Sequence, residues 1–289
     1  MSRVLVTGAG GFIGTALVRE LTRRGHAVTG CVRRIPSSSV EGVEYLEVND
    51  ALEGLGVEAA LGRSDAVVHL VARTHAADLG DLRAAELYRR INVRLTDSLA
   101  CRSVRAGVRR FVFLSSAKVN GEETCGRPFR EEDPPRPEDL YGQTKLEAEQ
   151  ALAARAAGTG LGVTVVRPPL VYGPGVKANF QRLIWLVARG LPLPLGSVRN
   201  ARSFIGLTNL CDFVSVALSH PAAVGETFLA ADSVPVSTPA LLQAIGEALG
   251  RSAHVLPLPV GLLRMAAFAV GGQREFRRLT GSLELDAGK

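Results

Sequence analysis

Cysteine is sparse in this chain: Cys31, Cys101, Cys125 and Cys211 lie far apart, and no two form a Cys-x-x-Cys pair. A disulfide framework and a zinc site both lack their usual spacing. Reduced thiols, no bound metal and a cytoplasmic setting are therefore expected. Long apolar runs are missing as well. The run at 260–270 is interrupted by Arg264 and falls short of the ~20 residues that a bilayer span needs. It reads as a packed helix, and no membrane insertion is expected. Residues 3–6 already read as a strand, which leaves no stretch for a signal peptide. Nor is charge gathered into blocks: 34 Lys and Arg against 28 Asp and Glu give a net +6 that is scattered along the chain. Without a basic stripe interleaved with aromatics, nucleic acid is not an expected partner. Small anionic ligands suit such a surface. Internal repeats, low-complexity tracts and linkers are absent too.

What is present is enough for a packed domain: 289 residues, 46% of them apolar and 21% charged. Short apolar runs at 3–6, 27–32, 44–48, 66–70, 111–114 and 162–166 show little alternation, as strands buried on both faces should. Longer amphipathic stretches at 12–24, 82–106 and 140–157 read as helices. The order predicts an α/β fold, a Rossmann-like doubly wound parallel sheet covered by helices. After Arg167 the character changes. Pro168, Pro169, Pro174, Pro192 and Pro194 break the chain into loops around a helix at 179–189 that carries Trp185. A helix at 209–219, a strand near 227–230 and a helix at 239–249 follow. The expected division is a dinucleotide-binding domain over 1–167, to which 203–219 return. A smaller interleaved substrate lobe would comprise 168–202 and 220–289.

The first strand runs into Thr7-Gly8-Ala9-Gly10-Gly11-Phe12-Ile13-Gly14 and then a helix. Gly8, Gly11 and Gly14 space as G-x-x-G-x-x-G. A tight strand-to-helix turn needs freedom in φ, and a pyrophosphate reaches the backbone only where no Cβ intervenes. The helix N-terminus then offers unpaired N–H groups and the positive end of its dipole. At the end of the second strand, an acidic residue would bind the adenosine ribose, whereas arginine accommodates a 2′-phosphate. The sequence there reads Cys31-Val32-Arg33-Arg34, which favours NADP over NAD or a relaxed preference. Two solvated surface arginines are the bland alternative. Asp50, after the third strand, is a candidate for the adenine amino group, or else a helix cap.

Tyr141-Gly142-Gln143-Thr144-Lys145 sets a phenol and an amine four residues apart on one helical face. Upstream, the strand at 111–114 ends in Ser115-Ser116-Ala117-Lys118, and such strand ends are where open α/β sheets bind ligands. Exchange between a carbinol and a carbonyl needs a hydride partner and a group that moves the oxygen's proton. A phenol has a pKa of ~10, so acting as a base near neutrality needs a downward shift of about 3 units. The ammonium of Lys145 and an oxidised nicotinamide are expected to supply that shift. Ser116 would orient the substrate oxygen.

Taken together, the segments VTGAGGFIG, VVHLVA, INVRLT, FVFLSSAKVNGE, YGQTK, RPPLVYGPG and ARSFIGLTNLCD resemble the extended short-chain dehydrogenases/reductases, in the branch of NAD-dependent epimerases/dehydratases. The resemblance runs from the first strand to about residue 212. It implies a catalytic trio of Ser116, Tyr141 and Lys145, with Phe12 and Ile13 on the pyrophosphate turn and Ala72 near the cofactor. It also implies that Asn92 supports the active-site helix and that Pro168 opens the loop over the nicotinamide. Lys118, Asn179 and Arg202 would contact the substrate, the last two at its nucleotide diphosphate; a structural ion pair is the alternative for Arg202. Sugar dehydratases of this branch carry an Asp-Glu pair just after the catalytic Ser or Thr, where this chain has Ala117 and Lys118, so dehydration is not expected. Asn120 stands where Val-Tyr-Gly usually has its tyrosine. The runs SSAKVNGE and RPPLVYGPGVKANF are most similar to reductases of UDP-4-keto-6-deoxy-N-acetylhexosamines, with UDP-hexose 4-epimerases as near relatives. The implied partner is a UDP-linked sugar, and a homodimer through 82–106 and 140–157 follows the family habit. Family members run beyond LTGSLELDAGK, which makes a shortened second lobe the expectation. A different class remains open, a dinucleotide-sensing regulator that keeps the fold without chemistry; such proteins commonly lose the Tyr or the Lys.

Overall fold

A computed structural model describes residues 1–54, 56–74, 81–269 and 271–289. In chain order its elements are β1 (Arg3–Thr7), α1 (Phe12–Arg23), β2 (Ala27–Val32), β3 (Val43–Glu47), α2 (Val57–Arg63), β4 (Ala66–His69), α3 (Leu82–Tyr88), a π-helical turn (Arg89–Arg94), α4 (Leu95–Arg105), β5 (Arg110–Leu114), a 3₁₀ turn (Ala117–Val119) and α5 (Leu140–Ala156). Then come β6 (Gly162–Arg167), β7 (Leu170–Tyr172), α6 (Ala178–Ala188), β8 (Phe204–Gly206), α7 (Leu207–Ser219), β9 (Thr227–Leu229), α8 (Thr238–Ala248), α9 (Val260–Ala269) and α10 (Gln273–Thr280).

Seven strands make one parallel sheet in the order β3-β2-β1-β4-β5-β6-β9. Alternation within β1 shows how both faces are filled. Val4 and Val6 join Leu17, Leu21, Leu210 and Val214, the core under α1 and α7. Leu5 joins Val67, Leu99, Phe111, Phe113 and Leu152 on the other face, under α2, α4 and α5. The doubly wound α/β architecture is therefore as expected, and the strand order reverses between β1 and β4. At such a reversal the helices leave the sheet on opposite faces, which opens a crevice at the carboxyl ends of the strands.

Four features depart from the expectation. The helix over 82–106 is interrupted by the π turn, which inserts an extra residue into the ladder and swings Asn92 inward. β9 belongs to the main sheet beside β6, so part of the stretch 220–289 assigned to the smaller lobe lies in the sheet domain. β7 and β8 pair as a second, two-stranded parallel sheet. The helix at 260–270 is formed over Val260–Ala269, with Val270 outside the described residues, and it is not packed as expected. Leu262, Met265 and Phe268 stand 54%, 69% and 73% exposed, because only its Val260 and Leu263 side reaches the lobe core of Phe180, Val187, Leu242 and Ile245. No helix among the described residues is long and apolar enough to cross a membrane.

Candidate active site

The glycine turn forms the cradle that its sequence calls for. Gly8 has φ of 74°, and the Gly11 amide donates to the Gly8 carbonyl at 2.9 Å to close the turn. Gly14, in the first turn of α1, backs directly onto this loop: a Cβ there would lie 2.1 Å from the Gly8 oxygen and 2.8 Å from Ala9 Cα. The turn thus packs as tightly as bare backbone allows, and α1 starts at Phe12 with its first N–H groups facing the crevice end of β1. Phe12 and Ile13 are half-buried against the α1–α7 core. The segment after β4, which holds the half-buried Ala72, runs beside the turn, with Val71 N only 3.3 Å from a Cβ built on Gly8. This geometry fits a dinucleotide pyrophosphate.

A histidine overlooked in the sequence pins the floor of the cradle. His69 ends β4, is fully buried, and bridges Thr7 Oγ1 on Nδ1 (2.6 Å) and Thr96 Oγ1 on Nε2 (3.0 Å). Burial, and then the charge of Lys145, pull it down to about 3, so it is a neutral link. A polar residue inside the apolar run VVHLVA was the signal. Beyond Val32, Arg33 and Arg34 are exposed at the end of β2. Asp50 is exposed in the turn after β3, which Asn49 organises by accepting the amides of Ala51 and Glu53. Asp50 is not a helix cap, since α2 is capped by Gly56.

The residues expected to react converge at the end of β5. Asp139 caps α5 by accepting the Gly142 amide at 2.8 Å, which fixes where the helix begins and hence where Tyr141 points. Gly142 lets the 3₁₀ turn sit against the helix: a Cβ there would be 2.7 Å from the Lys118 carbonyl. That approach sets Ser116 beside the Tyr141 phenol, where its hydroxyl favours the charged form of the ring oxygen. Pro168, after β6, accepts the Ala117 amide at 2.9 Å and ties the following loop to the same turn. Asn92 holds the assembly from the π turn. Its side chain accepts the Arg73 amide (2.7 Å) and donates to Thr144 Oγ1 (2.9 Å), joining the post-β4 segment to α5. Tyr88 is 1% exposed and packs with Tyr141, yet among the described residues its hydroxyl has no hydrogen-bond partner.

Lys145 is 1% exposed, and its Nζ lies 3.9 Å from the centroid of the Phe113 ring. The electrostatics differ from the expectation of a phenol made acidic by this amine. Burial drives the Tyr141 pKa up, with the Ser116 hydroxyl opposing and the neighbouring Asp139 adding to the rise. Burial also pulls Lys145 down to about 7, with Glu149 opposing. The cause is shared: a dry pocket disfavours the charged form of either group. Within the chain's own field, Tyr141 is therefore held as the neutral phenol.

The residues expected at the substrate are dispersed. Lys118 lies beside the site, but its ammonium is committed to Glu122 and, at 2.6 Å, to Asp139. Asn179 is exposed in the first turn of α6. Arg202 is half-buried; its backbone pairs with Val236, and its guanidinium donates to the Gly281 carbonyl at 2.8 Å rather than to a carboxylate. A cavity of about 220 Å³ opens next to Asp139, lined by Glu122, Glu123, Glu138, Arg274, Arg277 and Arg278, so α10 faces the start of α5 across it. No local sequence signal marks where α10 packs. Among the described residues, no group of three or more His, Cys, Asp or Glu is arranged to hold a metal.

Known proteins share this design. The model of the NAD dependent epimerase/dehydratase family matches residues 4–231. A UDP-glucose 4-epimerase of Vibrio cholerae is 39% identical over 98% of this chain and 87% of its own length. An N-acetyl-alpha-D-glucosaminyl-diphospho-ditrans,octacis-undecaprenol 4-epimerase of Escherichia coli O157:H7 is 27% identical over 90% of this chain and 77% of its own. Among solved structures, MoeE5 in complex with UDP-glucose and NAD superposes with a TM-score of 0.77 at 28% identity, covering 99% of this chain and 90% of that one. With the glycine cradle, the Ser116–Tyr141 pair and the buried Lys145 in place, the chain belongs to the NAD dependent epimerase/dehydratase family, enzymes that work with a nicotinamide dinucleotide.

Proposed function

We propose that this chain is a nucleotide-sugar oxidoreductase that reduces the 4-keto group of a UDP-linked 6-deoxy-N-acetylhexosamine, with NADPH or NADH. One observation carries the reading: Ser116, at the carboxyl end of β5, adjoins Tyr141 in the first turn of α5, with Lys145 buried one turn further along α5, beside a cradle that only a glycine backbone can form. The dinucleotide, when bound, supplies the hydride. Ser116 holds the substrate carbonyl oxygen, and Tyr141, kept protonated by its burial, gives that oxygen its proton. Lys145 supports the phenol and the nicotinamide ribose. Gly8, Gly11, Phe12, Ile13 and Gly14 hold the pyrophosphate, and Ala72 and Pro168 flank the nicotinamide half. Asn179 and Arg202 are assigned to the diphosphate, for which Arg202 would exchange its bond to Gly281. Elimination of water is disfavoured: Ala117 and Lys118 follow Ser116, and the nearby carboxylates of Glu122 and Asp139 are neutralised by the Lys118 ammonium. Exposed Arg33 and Arg34 favour an exchangeable NADP(H).

The 39% identity to the Vibrio cholerae relative favours a second reading, a UDP-hexose 4-epimerase that oxidises and re-reduces one carbon on a retained NAD. An absorbance assay at the nicotinamide band, with the 4-keto sugar nucleotide and NADH or NADPH offered separately, tests the first reading. Stoichiometric consumption supports reduction. No consumption, with NAD released on denaturation and interconversion of a UDP-hexose pair, replaces it with epimerisation. The homodimer through α3–α4 and α5 belongs to the same proposal, and sedimentation at assay concentration checks it.

A further inference from the structure

We propose that Glu149 is the positioning residue for Lys145: one turn further along α5 and fastened by Ser115 and Arg167, its carboxylate is the fixed anion that keeps the lysine an ammonium at the reaction centre. The inference rests on the assignment of Lys145 to the reacting set in the function proposed above.

The geometry is closed on all sides. Glu149 is 8% exposed, Arg167 6% and Ser115 2%. Glu149 Oε1 accepts from the Ser115 hydroxyl and from Arg167 Nε (3.0 Å), and Oε2 accepts from Arg167 Nη2 (2.5 Å). Arg167 Nη1 donates to Asn120 Oδ1 at 3.1 Å, and the Asn120 amide donates to the Arg130 carbonyl at 3.2 Å. Asn120, which replaces the usual tyrosine, thus completes the shell of the ion pair. Glu149 sits in the middle of α5, and its three partners sit at the ends of elements that carry the site: Ser115 precedes Ser116, Arg167 precedes Pro168, and Asn120 follows the 3₁₀ turn.

A buried ion pair of this kind could serve as a clamp and nothing more. The surroundings of Lys145 argue otherwise. The titratable or charged groups around it are Tyr141 and Glu149 on α5, neutral His69 on β4, and Arg167 at the end of β6, with the Phe113 ring of β5 against the amine. Tyr141 is held as the neutral phenol, so Glu149 is the anion of this set. Its field opposes the desolvation that would otherwise strip the lysine of its proton. Arg167 fixes where that anion sits and tempers its strength.

The chain's four lysines, Lys118, Lys145, Lys177 and Lys289, make the titration of Lys145 directly readable by NMR of ¹³Cε-lysine in the cofactor-loaded protein. Glu149→Gln leaves Arg167 as an uncompensated cation and is expected to lower the Lys145 midpoint by about 1 unit or more, the effect of losing an opposite charge at close range. Arg167→Met frees the carboxylate's full field and moves the midpoint up, and the double variant falls between Glu149→Gln and the parent. The alkaline limb of kcat/KM should move with the NMR midpoint. An unmoved midpoint in folded Glu149→Gln overturns the proposal and leaves the pair as a clamp. A midpoint that moves while the alkaline limb stays put instead overturns the role of Lys145 in the proposed function. Should Glu149→Gln fail to fold, Arg167→Met decides, since a midpoint that does not rise there is equally fatal.

Discussion

Gly14→Ala separates a cradle that is sterically required from one that merely happens to be glycine. In an exposed helix interior this exchange would stabilise by ~1 kcal/mol through propensity alone. Here the new methyl would start 2.1 Å from the Gly8 oxygen and within 2.9 Å of two Ala9 backbone atoms. Unbonded heavy atoms settle at about 3.5–4.0 Å, and none of these neighbours is a flexible side-chain end, so the loop itself must move. Overpacking of this kind costs about 1–3 kcal/mol. In a chain this size that corresponds to a loss of roughly 2–10 °C in Tm. The displaced loop is also the proposed phosphate cradle, so dinucleotide affinity should fall about 10- to 100-fold, or ~1.4–2.8 kcal/mol. Gly10→Ala is the internal comparison: its Cβ would meet Val32 Cγ1 at an ordinary 3.5 Å, and its Tm should stay near the parent value. Differential scanning fluorimetry and calorimetric titration with NAD and NADP read both effects. A Gly14→Ala protein that binds dinucleotide as tightly as the parent would refute the assignment of this turn.

Replacing Tyr141 with Phe removes the proton donor and should lower turnover by ~10²–10⁴-fold with dinucleotide binding retained; unchanged steady-state turnover would remove Tyr141 from the mechanism. Arg33→Ala/Arg34→Ala should raise KM for NADPH and leave KM for NADH nearly unchanged, and equal effects on both would make these residues ordinary surface arginines. Tyr88→Phe deletes a hydroxyl that has no partner among the described residues, so stability should hold; a rise in substrate KM would show that the hydroxyl serves the sugar. His69 has a folded pKa of about 3 against an ordinary 6.5, so the unfolded chain binds the extra proton first. Stability should therefore fall as pH drops from 6.5 towards 3, by up to ~1.4 kcal/mol per pH unit from this group. Equilibrium denaturation across that window should show a flatter slope in a folded His69→Gln protein, and an identical slope would exclude His69 as its source.

The sheet was legible in the sequence, and the proposed trio could be picked out there, because each follows from local chemistry. Strands buried on both faces announce themselves as unbroken Val, Leu and Phe runs; glycine spacing at a strand-to-helix turn has few other uses; and Tyr141 and Lys145 share a face because a helix repeats every 3.6 residues. The charge states of that trio were not legible. Sequence adjacency suggested that the amine acidifies the phenol, but solvent exclusion by the surrounding fold raises one group and lowers the other. The same reason hid Glu149, Arg167, Asn120 and Ser115, which span 53 positions of sequence and meet only where β5, β6 and α5 come together. It hid the docking of α10 as well, since α10 reads as a polar helix until Arg274 and Arg277 reach Asp139, Glu123 and Glu138. Local pattern thus determined which chemistry the chain carries, because that depends on residue type and short-range spacing. Burial and long-range charge pairing, which exist only after the strands and helices have packed, decided how that chemistry is poised.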